Sequence, residues 1–155
     1  MPTPTRCSLR GKIWKLLLGT YRISAQEYVG LCERGQPPEV WDKIKNDTFR
    51  TFKVDERFKE RVGERVIARV LGCFVWKVQD LPQSRFYNLK FSYVQGMNVL
   101  AGPFLYVMPE LDAFYAFTHF IQTACPLYVQ PQLEGVHCGA EVNHLATKES
   151  PSHRM

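Results

Sequence analysis

Apolar residues recur at helical spacing along most of the chain. Leu9, Ile13, Trp14, Leu16 and Leu17 form a compact apolar face that stops at Gly19, and predict a first helix with a glycine C-terminal cap. Ser24-Ala-Gln-Glu27 is a capping-box pattern; it predicts a second helix with Tyr28, Leu31 and Cys32 inside and Gly35 as its stop. Pro37-Pro38 can open a short third helix that continues through Val40, Trp41 and Ile44.

The clearest helical signal follows Asp55, a plausible N-cap. Phe58, Val62, Val66, Val70 and Phe74 recur every four residues and predict one continuous helix. Arg57, Arg61, Arg65 and Arg69 run beside them, interleaved with Glu56, Glu60 and Glu64. That row predicts a solvated face laced with weak ion pairs.

Residues 79–92 read as a loop. A helix is expected from about Tyr93 to Met108, kinked at Gly102-Pro103, and another from Glu110 to about Cys125 carrying Phe114, Phe117, Phe120 and Ile121. Pro126 and Pro131 bracket a last apolar stretch. From about Glu141 the chain turns polar, with a Ser-Pro step and no apolar period, and reads as a disordered tail over 141–155. No stretch alternates as a strand does. The predicted fold class is all-α, in one domain.

Composition supports a globular chain: 155 residues, 45% hydrophobic and 23% charged. The net charge of +5 hides an asymmetry, because no Lys or Arg occurs between Phe91 and Thr147. The basic first half suits an acidic protein surface, a nucleotide phosphate or a nucleic acid, and charge alone does not choose. Five cysteines at wide spacing, without a C-x-x-C pair, argue against a disulfide framework or a structural zinc site and suit a reducing compartment. The opening MPTPTRCSLRGK lacks the apolar core of a signal peptide, so the expectation is an intracellular, cytoplasmic protein. The uncharged stretches Phe91–Pro109 and Ala113–Leu133 are broken by Gly, Pro, Gln, Asn or His, and predict buried helices and no membrane span.

Most enzyme patterns are missing. There is no G-x-x-x-x-G-K-[ST], G-x-G-x-x-G, H-E-x-x-H or G-x-S-x-G, and His119, His137, His144 and His153 are scattered. Two segments place polar groups where packing does not need them. One is Ile44-Lys-Asn-Asp47-Thr-Phe-Arg50-Thr51; the other is Tyr93-Val-Gln95-Gly96-Met97-Asn98, opening an otherwise apolar helix. Taken alone, Gln95 and Asn98 could cap that helix and Gly96 could permit close packing.

Together the segments resemble a known pattern. Ile44, Asp47, Arg50 and Thr51 match I-x-x-D-x-x-R-T, and Tyr93, Gln95, Gly96 and Met97 match Y-x-Q-G-M. These are the signature motifs of the TBC-domain GTPase-activating proteins, which act on Rab-like GTPases. Leu9, Arg10, Ile13, Trp14, Leu17, Leu18 and Gly19 look like that domain's first helix. The run from Tyr93 to Phe117 looks most like the checkpoint branch of the family, which restrains mitotic exit and septation in fungi. That branch works with a regulatory partner subunit on a small GTPase at the spindle pole body.

The resemblance implies the N-terminal helical lobe of such a domain over residues 6–140. It implies Arg50 as a finger inserted in trans, Gln95 as the group orienting the attacking water, and Asp47 holding the guanidinium. Ile44, Thr51, Gly96 and Met97 would support the site, and Tyr93 would pack against the GTPase. GTP and Mg²⁺ would come with a Rab- or Ras-like partner, so no cofactor or metal binds this chain directly.

The family's domain has two helical lobes, and the resemblance covers mainly the first, which implies a truncated product. Such a lobe is expected to expose apolar surface around Phe114, Phe117, Phe120 and Leu127. Two readings stay open: a catalytic activator using Arg50 and Gln95, or a non-catalytic module that binds the GTPase or regulatory subunit. A nucleic-acid binder using the arginine row is disfavoured, because glutamates interrupt the positive stripe.

Overall fold

The computed structural model describes residues 8–81 and 92–126. They form α1 (Leu9–Leu17), α2 (Ala25–Glu33), α3 (Trp41–Arg50), α4 (Glu56–Arg61), α5 (Glu64–Gln79), α6 (Met97–Val107) and α7 (Glu110–Ala124), and no strand occurs among the described residues. The all-α class is as the periodicity predicts. The predicted tail, the last apolar stretch and most of the predicted 79–92 loop lie outside the described residues.

Helix α5 is the centre of the packing. It touches α2, α3, α6 and α7, and nine of its residues are buried, Val70, Leu71, Phe74 and Val75 completely. Phe74 meets Phe117 of α7 edge-on at 5.4 Å, and Phe117 meets Phe104 of α6 at 6.2 Å. Each fully buried side chain of this size contributes about 1.5–3 kcal/mol of transfer free energy. This aromatic column holds α5, α6 and α7 together.

The continuous helix predicted after Asp55 is two helices. Asp55 does cap the first, its Oδ1 accepting from the Phe58 N–H at 3.0 Å. Gly63 then adopts an extended conformation (ψ 144°), and α5 starts afresh at Glu64. The four-residue spacing of Phe58, Val62 and Val66 hides the break because Val62 is buried from its extended position too. The arginine row is exposed, as expected of a solvated face, but its partners are not the neighbouring glutamates of the row. Arg69 forms a two-pronged pair with Glu110 of α7 at 2.5 and 2.7 Å, Arg61 lies over the Tyr106 ring at 4.8 Å, and Glu56 pairs with Lys59.

Helix α1 is rotated relative to its predicted face. Gly11 is buried and Trp14 packs edge-on against Phe104 at 5.5 Å, while Leu9, Ile13, Leu16 and Leu17 are exposed, Leu17 at 79%. The helix is held from its ends and one side. Ser8 Oγ donates to the Val107 carbonyl at 2.9 Å and accepts from the Gly11 N–H, and Lys15 pairs with Asp112 at 2.8 Å. Among the described residues the exposed apolar side chains lie on α1 and at scattered positions such as Phe49, Val54 and Val99, not around Phe114 and Phe117, which are fully buried; Phe120 is half-buried and Leu127 lies outside the described residues.

The remaining starts and stops follow local chemistry. Ser24 Oγ accepts from the Glu27 N–H at 3.1 Å. The Glu27 carboxylate turns outward from the expected capping box to Lys77 and Tyr115. Gly19 and Gly35 carry positive φ after α1 and α2. Pro37-Pro38 lie in the approach to α3, which begins only at Trp41.

Candidate functional site

Helix α3 turns Ile44, Asp47, Thr48 and Thr51 inward, residues three or four apart on one stripe. Ile44 is fully buried among core residues and fixes the helix's rotation. Thr48 Oγ1 donates to the Ile44 carbonyl at 2.9 Å, keeping its hydroxyl satisfied inside the helix. Arg50 falls on the outer edge, its side chain 56% exposed.

Asp47 is the hub. Its carboxylate is almost fully buried, and accepts from Arg50 Nη2 on Oδ1 and from the Tyr93 hydroxyl on Oδ2 at 2.7 Å. Its backbone carbonyl accepts from Thr51 Oγ1 at 2.8 Å and from Asn98 Nδ2 at 3.2 Å; Asn98 also donates to Thr51 Oγ1 at 2.7 Å. A buried carboxylate is costly unless its lone pairs are occupied, and here a cation and a phenol occupy them. Burial first, and then the carboxylate it donates to, push the Tyr93 phenol well above the usual tyrosine range, so it remains a donor throughout the physiological range.

The segment opening α6 is a turn, not the first turn of a longer helix. Tyr93 and Val94 lie outside any helix, Gln95 and Gly96 form the turn, and α6 starts at Met97. Gly96 has φ +99°, a region L-residues rarely enter, and nothing lies within 4 Å of where its Cβ would stand. Its requirement is therefore conformational, and the close-packing reading fails. Buried Met97 closes the turn, its sulfur accepting from the Val94 N–H at 3.3 Å. Gln95 is left exposed at the tip.

Tyr93 was expected to face a partner. It is instead buried at 5% exposure, because its hydroxyl must reach Asp47 in the interior. It acts as a strut. Asn98 carries a role that the sequence does not announce: where a helix cap is one expectation, it bridges α6 to the last turn of α3. Thus Gln95 sits between two residues, Tyr93 and Asn98, that both bond to the turn carrying Arg50.

A second support lies just past Arg50. Phe52 has φ +47°, a strained conformation for a residue with a side chain. Its ring packs on Phe58 at 4.5 Å and lies over Gly102, where a Cβ would come within 2.6 Å of Phe52 Cε2. Gly102 is thus needed to let the end of α3 approach α6.

The profile of the Rab-GTPase-TBC domain matches residues 7–149. The chain belongs to the Rab-GTPase-TBC family. Among curated relatives, it is 41% identical over 143 residues to the mitotic check point protein BUB2 of Saccharomyces cerevisiae, covering 89% of this chain and 45% of that protein. It is 40% identical over 136 residues to cell division control protein 16 of Schizosaccharomyces pombe, covering 87% and 42%. It is 38% identical over 133 residues to a putative BUB2 of Dictyostelium discoideum, covering 86% and 33%. The chain therefore spans less than half the length of these relatives. No solved structure matches it significantly. No helix among the described residues is long and apolar enough to cross a membrane.

Proposed function

We propose that the chain activates GTP hydrolysis on a Rab- or Ras-like GTPase, inserting Arg50 and Gln95 into the partner's nucleotide site. The observation that supports this most is the shared mooring of the two segments: Asp47, one helical turn before Arg50, accepts from Tyr93, two residues before Gln95.

Phosphoryl transfer to water spreads charge over the γ-phosphoryl oxygens, so catalysis is largely positioning plus electrostatic stabilisation. A guanidinium supplies a permanent charge and five donors in a planar fork. Asp47 engages one Arg50 nitrogen, leaving further donors on an exposed side chain for phosphate oxygens. The Gln95 amide can accept from the attacking water and donate to a phosphoryl oxygen at once. GTP and Mg²⁺ arrive with the partner. The names of the relatives, mitotic check point and cell division control proteins, support a role in the cell cycle; the resemblance of the Tyr93–Phe117 run is what points further, to mitotic exit and septation with a regulatory partner subunit at the spindle pole body.

The test is single-turnover GTP hydrolysis on a panel of Rab- and Ras-like GTPases. The parent chain accelerates its cognate GTPase; Arg50→Ala loses about 10³–10⁵ of that acceleration and Gln95→Ala about 10²–10³. Binding by the parent without acceleration would instead mark a non-catalytic GTPase-binding module.

A further inference from the structure

Cys32 on α2 and Cys73 on α5 are free thiols in sulfur-to-sulfur contact at 3.4 Å, although 41 positions apart in sequence. Neither contributes to the Arg50–Gln95 site. Their register is fixed from both sides. Lys77 Nζ donates to Glu27 at 2.6 Å, Arg34 pairs with Asp80 at 2.6 Å and lies over the Trp76 ring, and the Trp76 indole donates to the Gly35 carbonyl at 2.9 Å. The orientational cost of bringing the sulfurs together is already met by these contacts. A disulfide needs the sulfurs at ~2.05 Å, a closure of ~1.4 Å that side-chain rotation and small helix shifts can share.

The pair is also reachable. Both cysteines line an open groove of about 790 Å³ that runs between α3 and α5, with Trp41, Ala68 and Gly72 among its walls. Cys32 is half-buried there, while Cys73 lies behind it at 3% exposure. Burial pushes the Cys73 thiol well up, which disfavours it as first attacker, while its contact with the Cys32 sulfur at 3.4 Å places it to resolve.

We propose that Cys32 and Cys73 are a reversible dithiol–disulfide pair, oxidised by hydrogen peroxide, that staples α2 to α5 around α3. The Cys32 thiolate attacks a peroxide oxygen: an S–O bond forms, the O–O bond breaks, and hydroxide leaves to take up the thiol's proton as water. Cys73 sulfur then attacks the Cys32 sulfenic sulfur. The S–S bond forms, the S–O bond breaks, and the departing hydroxide takes the Cys73 proton as a second water. Two thiols lose two electrons and two protons, and the peroxide gains them. A thiol reductant reverses the bond by exchange. The closed loop contains all of α3, so the staple restricts the unfolded chain around the helix that carries Asp47 and Arg50.

The experiment treats the folded, full chain with hydrogen peroxide, alkylates the remaining thiols, and maps peptides by mass spectrometry with and without prior reduction. The expected result is a crosslinked peptide joining Cys32 to Cys73 and removed by dithiothreitol. The melting temperature of the oxidised chain should rise by roughly 10 °C. Cys32→Ser, at the half-buried position, should show neither change. Oxygen added to Cys32 without a crosslink, or a Cys32–Cys73 bond formed only in denaturant, would overturn the proposal, as would a bond that leaves the melting temperature unchanged or lower.

Discussion

The contact of α5 with α7 and the contact of α3 with the start of α6 are both buried, but they are built from opposite materials. The first is an aromatic and aliphatic column: Phe74, Phe114, Phe117 and Ile121 are fully buried and carry no polar atom. The second concentrates polar groups. Among the described residues six buried residues are polar, Thr20, Asp47, Thr48, Thr51, Asn98 and Thr118, and three of them, Asp47, Thr51 and Asn98, bond to one another at the α3–α6 junction. Apolar side chains of similar volume would fill that space at lower desolvation cost. What the polar set adds is direction, since each hydrogen bond fixes one atom against another. The column supplies stability; the junction fixes where Arg50 and the Gln95 turn point.

This contrast can be broken at either end. Truncation in the column should have the largest effect on folding: Phe117→Ala is expected to cost about 3–5 kcal/mol, read as a lower urea midpoint, and to carry activity down with it. At the junction, Asp47→Ala leaves the Tyr93 hydroxyl buried without its acceptor, costing about 1–3 kcal/mol, and frees Arg50. Asp47→Asn, which keeps the shape, should recover most of the stability and little of the activity. A matching loss of stability and activity across that pair would show the junction to be ordinary packing.

Gly102→Ala probes the same junction from α6. Its Cβ would collide with Phe52, and the ring is wedged against Phe58, so the expected cost is about 1–2 kcal/mol by thermal melting. Alkali offers a gentler probe. Burial, then the Glu27 carboxylate, raise the Tyr115 phenol to about 12, and Tyr28 and Tyr93 are pushed up by burial and by Glu110 and Asp47. A phenol raised above its unfolded value near 10 contributes stability that is complete below pH 10 and fades as the pH climbs toward the folded value. Stability should therefore fall from pH 10 to 12, with part of the phenolate absorbance appearing only together with the loss of helical signal. The smallest effect belongs to α1: Leu17→Gln, at an exposed position, should shift stability by less than about 0.5 kcal/mol.

The column was legible in the sequence because burial imposes a period, and Val70, Phe74, Phe114 and Phe117 all obey it. The motif residues were legible as a pattern, and the Asp47–Arg50 contact follows from their spacing on one helix. Three features were hidden for physical reasons. Gly63 breaks the α4–α5 helix without breaking the four-residue spacing, since Val62 stays buried in extended chain. Phe52 reaches positive φ without a glycine to announce it. Tyr93 and Asn98 bond across 46 and 51 positions, a relation that local reading of a turn cannot supply. The α1 face misled for a simpler reason: periodicity shows that a face exists, not which side the fold covers.

The most direct measurement is single-turnover hydrolysis by the cognate GTPase with the parent chain, Arg50→Ala and Asp47→Asn, each matched to its melting curve. The account predicts strong acceleration by the parent, a loss of about 10³–10⁵ for Arg50→Ala in a chain that still folds but melts lower because Asp47 loses its cation, and an intermediate loss for Asp47→Asn. Full acceleration by Arg50→Ala would contradict it.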